Sequence, residues 1–111
     1  MTKLKEKSCA VCEDKTVTPF TKEKSVRMLH ELSGWTIAKN GKSIEKEIEF
    51  KNFDKAMDFV NMVADVAEFE GHHPDIHIWY NIVRLELYTH AIKGLSENDF
   101  ILAAKIDAIV L

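Results

Sequence analysis

Four of the chain's five histidines, His72, His73, His77 and His90, fall in one short stretch of its 111 residues. Histidine is the side chain that most easily takes up and releases protons near neutral pH. His72-His73-Pro74 follows Gly71, a helix-ending residue, so two imidazoles stand on a short, constrained connection. His90 comes just after a strand end at Tyr88-Thr89. If the two intervening strands pair, His72, His73 and His90 line one concavity, an arrangement suited to acid–base catalysis. Any one of these histidines could equally be a hydrogen-bonded surface or core residue. Three together point more firmly to chemistry.

Other chemistries fit less well. His73 and His77 have the i, i+4 spacing of a helical metal pair, but Pro74 interrupts a helix through them. In a strand the two would stand ~13 Å apart at their backbones, too far to chelate readily. No metal is therefore expected. Cys9 and Cys12 form a lone CxxC, which could be half a zinc site, a redox pair or two incidental thiols. The chain has neither a second ligand pair at comparable spacing nor a βαβ context, which favours a non-catalytic role. Neither cysteine sits in a nucleophile context, and no glycine-rich phosphate loop or nucleotide fingerprint occurs. Acid–base work on a small organic substrate is what remains.

The elements that must position these groups can be read from periodicity. A composition of 46% hydrophobic and 30% charged residues fits one globular domain at 21–111, preceded by a lysine-rich arm at 1–20. A net charge of −3 speaks against a nucleic-acid partner, and no apolar run approaches the ~20 residues of a membrane span. With no signal-type apolar core near Met1, a cytoplasmic protein is expected. Thr21 can cap a helix over Lys22 to Leu32 with Val26, Leu29 and Leu32 on its apolar face. Trp35 and Ile37 then alternate with polar neighbours up to Asn40-Gly41, a hairpin signal, and the return strand runs from Ile44 to Phe50.

Phe53 to Glu70 is the clearest helix. Phe53, Ala56, Met57, Val60, Val63, Ala64 and Ala67 form its inward stripe. A second set, Phe59, Met62, Val66 and Phe69, exceeds what one sheet needs and suggests another subunit. Two alternating segments follow, with Ile76, Ile78 and Tyr80 on one face of the first and Val83, Leu85 and Leu87 on one face of the second. Ser96 and Asp99 have the spacing of a capping box at the start of a last, strongly apolar helix. The order helix-strand-strand-helix-strand-strand-helix gives an α+β fold, a four-stranded antiparallel sheet with three helices packed on it.

Glu68, His72-His73-Pro74, Tyr80, His90 and Asp99, with the gaps between them, resemble the signature of the pterin-4a-carbinolamine dehydratases. Gly34-Trp35, Phe50-Lys51-Asn52-Phe53, Tyr80-Asn81, Thr89-His90 and Gly94-Leu95-Ser96 are also similar to that family, so the likeness covers roughly residues 20 to 110. The resemblance implies a lyase that dehydrates a 4a-hydroxytetrahydropterin to the quinonoid dihydropterin, recycling a tetrahydropterin cofactor. It implies His72, His73 and His90 as catalytic imidazoles, Asp99 and Glu68 as supporting carboxylates, and Trp35 near the pterin ring. Asp99 is expected to fix the tautomer of His90. No metal or bound cofactor is implied, and homodimers or homotetramers are. The same resemblance leaves two alternatives, a dimerisation cofactor for a transcription factor and a pterin-related role in molybdenum-cofactor metabolism. Ile76 departs from the family, whose animal members often carry an aromatic residue there.

Overall fold

The computed structural model describes residues 4–7, 9 and 18–109; Cys12 and most of the 1–20 arm lie outside them. Thr21 opens α1 (Lys22–Leu29), its Oγ1 accepting from the Lys24 N–H at 3.2 Å and so satisfying a donor that a helix start leaves open. From His30 to Leu32 each N–H reaches back only three residues, so the helix tightens into turns and ends before the expected Leu32.

β1 (Thr36–Ile37) and β2 (Ile44–Glu49) form the expected hairpin with a longer loop than a two-residue turn. The Ala38 N–H donates to the Ser43 carbonyl at 2.9 Å, and the Gly41 N–H to the Ala38 carbonyl at 2.9 Å. Only Gly41 of the Asn40-Gly41 pair has a positive φ, 72°, whereas a type I′ turn requires it at both central residues.

α2 (Phe53–Glu70) has the bounds its periodicity indicates. Asn52 caps it by accepting from the Lys55 N–H at 2.9 Å, and Gly71 closes it in the left-handed conformation with φ of 68°. Then come β3 (Asp75–Trp79), β4 (Ile82–Leu87) and α3 (Glu97–Asp107). The strands make one antiparallel sheet in the order β1-β2-β4-β3, so the fold is α+β with three helices and four strands. The β2–β4 register sets Ile44 opposite Leu87. Ile44, Val83, Leu85 and Leu87 are completely buried, together with Phe100, Leu102 and Ala103 of α3. β3, an edge strand, has only its Ile76 packed on this core.

The inward stripe of α2 is rotated from the expected one. Ala56, Phe59, Val63 and Ala67 are buried, whereas Phe53 is 47% exposed. Phe59, which the sequence places in the outward set, packs its ring 5.1 Å from that of Phe50. Both flanks of α2 are apolar, so periodicity alone leaves the helix free to turn by about half a residue step; the large Phe59 ring wins the interior. Met62 and Phe69 remain outward, Phe69 at 86% exposure. Truncating the buried ring is expected to cost far more than truncating the exposed one. Phe59→Ala should lower stability by ~3–5 kcal/mol and Phe53→Ala by less than ~1 kcal/mol, as measured by urea denaturation.

Candidate active site

Gly71 takes the chain out of α2 in a conformation that costs a residue with a Cβ, and it sends the next side chain inward. His72 is 3% exposed, and its Nε2 lies 2.6 Å from Asp99 Oδ1. Because a carboxylate only accepts, Nε2 is the nitrogen that carries the hydrogen. The other oxygen, Oδ2, accepts from the Ser96 N–H at 2.9 Å and from the Thr89 hydroxyl at 2.9 Å. Thr89 Oγ1 is also 2.7 Å from Ser96 Oγ. With the Thr89 hydrogen committed to Asp99, the Ser96 hydroxyl is the donor in that contact. The Ser96 hydroxyl also accepts from the Asp99 backbone, completing the expected capping box.

Asp99 thus divides its oxygens between a helix cap and an imidazole, but the imidazole is His72 and not His90. Alternation beyond β4 explains the difference. Thr89 is buried and faces the start of α3, so the following His90 turns outward into a short 3₁₀ turn, His90–Ile92. The His90 ring sits 4.1 Å from that of Tyr88, centroid to centroid, tilted by 43°.

His73 also faces solvent. Its Nε2 is 2.6 Å from Glu68 Oε1, a carboxylate one turn back in α2, with both side chains largely exposed. The same acceptor argument places the hydrogen on Nε2 and leaves Nδ1 with the lone pair when the ring is neutral. A hollow of about 310 Å³ has Ser43, Asp75, Glu86, Tyr88 and Lys93 among its walls. Tyr88 belongs both to this hollow and to the His90 ring contact.

Trp35 stands elsewhere. It is buried, and its indole N–H donates to Asp107 Oδ1 at 2.9 Å, an oxygen that also receives Lys46 Nζ at 2.9 Å. Asp107 closes α3, eight residues beyond Asp99 or ~12 Å along the helix, so the indole is tied to the opposite end of α3 from the His72 contact. Sequence reasoning misses Thr89 and Tyr88 as members of the site, although their adjacency to His90 on an alternating strand is the signal that could find them. Among the described residues no group of three His, Cys, Asp or Glu side chains could hold a metal ion.

A helical layer on an antiparallel sheet, with clustered imidazoles and carboxylates at one end, defines a small α+β protein equipped for proton transfer. The family model described as pterin 4 alpha carbinolamine dehydratase matches residues 18–109, and the chain belongs to that family. It is 47% identical over 96% of its length to a pterin-4-alpha-carbinolamine dehydratase homologue of Nitrosospira multiformis, spanning 91% of that protein. It is 43% identical over 94% of its length to pterin-4-alpha-carbinolamine dehydratase 2, mitochondrial, of Arabidopsis thaliana, and spans 57% of that longer protein. Among solved structures, the transcriptional coactivator/pterin dehydratase of Brucella melitensis matches with a TM-score of 0.77 and 32% identity, over 82% of this chain and 97% of that one.

His72, Thr89 and Ser96 all donate to the Asp99 carboxylate, so an amide at this position would turn one N–H toward a donor. Asp99→Asn is expected to lower stability by ~1–3 kcal/mol in urea denaturation, because a buried donor loses its acceptor.

Proposed function

We propose that this chain dehydrates a 4a-hydroxytetrahydropterin to the quinonoid dihydropterin, with His73 and His90 as the proton-transfer groups. Family membership across residues 18–109, with all three imidazoles in place, carries the reading. In the reaction the C4a–O bond breaks, the N5 proton departs, and a C4a=N5 double bond forms as water leaves. One group must protonate the leaving hydroxyl and another must accept the N5 proton. His73, whose Nε2–H is engaged by Glu68, presents Nδ1 as the acceptor for N5. His90, solvent-facing beside Tyr88, supplies the proton to the hydroxyl. His72 is held by Asp99 in the interior and orients the substrate from beneath. Trp35 has no part in this reading, since its indole is committed to Asp107.

The same reading makes the chain a homo-oligomer, a dimer or tetramer. Its support is the outward Met62 and Phe69 on α2 and the open edge of β3, where Ile78 and Trp79 are more than a third exposed. We assign it to the cytoplasm, a compartment that keeps Cys9 a thiol; among the described residues no helix is long and apolar enough to cross a membrane.

Purified chain mixed with freshly generated 4a-hydroxytetrahydropterin should accelerate its loss over the unaided reaction, and no acceleration would remove the assignment. His73→Ala and His90→Ala should each lower kcat by roughly 10²-fold with little change in melting temperature. In sedimentation equilibrium at micromolar concentration the mass should be a multiple of 12.7 kDa, and a 12.7 kDa species would refute the assembly.

A further inference from the structure

The family match begins at residue 18, yet described residues well ahead of it are built into the molecule. Leu4 opens a 3₁₀ turn, Leu4–Glu6, that lies along α3 and buries this side chain in the core. The Lys5 carbonyl accepts from Lys105 Nζ at 3.0 Å, and Lys7 Nζ pairs with Glu97 at 3.0 Å. Two contacts of Cys9 matter most. Its N–H donates to Glu70 Oε1 at 2.9 Å, and its Sγ lies 3.7 Å from the Asn98 carbonyl oxygen. Glu70 is the last residue of α2, two positions before His72, and Asn98 immediately precedes Asp99. One residue of this segment therefore touches both elements whose approach makes the His72–Asp99 contact.

Glu70 is well suited to transmit that grip. Its side chain is 4% exposed, and its second oxygen lies 3.8 Å from Lys105 Nζ. A carboxylate so enclosed depends on the donors around it, so its position follows theirs. The Cys9 N–H holds it from the amino-terminal segment and Lys105 holds it from α3. The last turn of α2 is thereby fixed just where Gly71 redirects the chain toward His72 and His73.

We propose that the segment carrying Leu4 and Cys9 is a clasp that sets the site, with Glu70 as its positioning residue. The Cys9–Glu70 hydrogen bond fixes how the chain leaves α2, and so the aim of His72 at Asp99 and of His73 at the substrate. The kinetic half of this inference rests on the proposed dehydratase reading. A displacement of the order of 1 Å at a reacting group is enough to cost about tenfold or more in rate.

The test uses the full chain with Glu70→Ala, Glu70→Gln, Cys9→Pro, which removes the N–H donor, and Lys7→Ala, which removes only an exposed ion pair. Glu70→Ala and Cys9→Pro should each lower kcat about tenfold with KM within about twofold. Glu70→Gln, which keeps an acceptor for Cys9, should return kcat to within about threefold, and Lys7→Ala should stay within about twofold. Independently of turnover, NMR should show the His72 ring N–H exchanging with solvent at least about tenfold faster in Glu70→Ala and Cys9→Pro than in the unmodified chain. An inactive unmodified chain whose His72 N–H still responds in this way would refute the dehydratase reading and leave the clasp standing. Unchanged His72 exchange in both variants would overturn the clasp, as would losses in all four that merely track melting temperature.

Discussion

A carboxylate with no exposure to solvent has to find its donors inside the protein, and Asp99 finds them on three separate elements: His72 after α2, Thr89 after β4 and Ser96 before α3. Each of those elements must end or begin at one place for the set to close. α2 is closed by Gly71, the strand alternation of β4 extends to Thr89, and α3 is capped by Ser96. Leaving any of these donors or the carboxylate unmatched would cost about 1–3 kcal/mol, a large share of the stability of a domain this size. The polar knot therefore ties helix and sheet ends together at the end of the fold where the histidines gather.

This knot separates the histidines by environment. His72 is enclosed and its tautomer is set by Asp99, whereas His73 and His90 stand at the surface with a carboxylate and a phenol ring beside them. A residue that must exchange protons with a substrate needs access, and one that must hold a geometry needs enclosure. The same logic extends outward to Glu70, whose enclosed carboxylate is shared between α3 and the segment that carries Cys9.

Local features are the legible part of the sequence. The bounds of α2, the Ser96–Asp99 capping box and the alternation of β4 each follow from residues only a few positions apart, and each stands in the structure as read. Pairings across the chain are less legible. Asp99 meets His72 across 27 positions, and Trp35 meets Asp107 across 72, so no local period specifies either. The hairpin stands as read, but the geometry of its turn and the rotation of α2 escape the sequence for a different reason. Asn40 keeps a negative φ, and two apolar flanks on one helix compete for the same core. Histidine clustering points to the proposed site, while the enclosure of His72 and the exposure of His73 and His90 depend on how the chain leaves Gly71 and Thr89.

The central claim is that a pterin is bound where His73 and His90 can act on it while His72 stays on Asp99. A crystal structure of the chain with a 7,8-dihydropterin bound tests it most directly. It should show ring nitrogens of His73 and His90 within hydrogen-bond reach, ~2.6–3.2 Å, of the N5 and C4a region or of a water standing in for the departing hydroxyl, with the His72–Asp99 contact intact. A pterin seated away from these imidazoles, or His72 turned from Asp99 to meet it, would contradict the account.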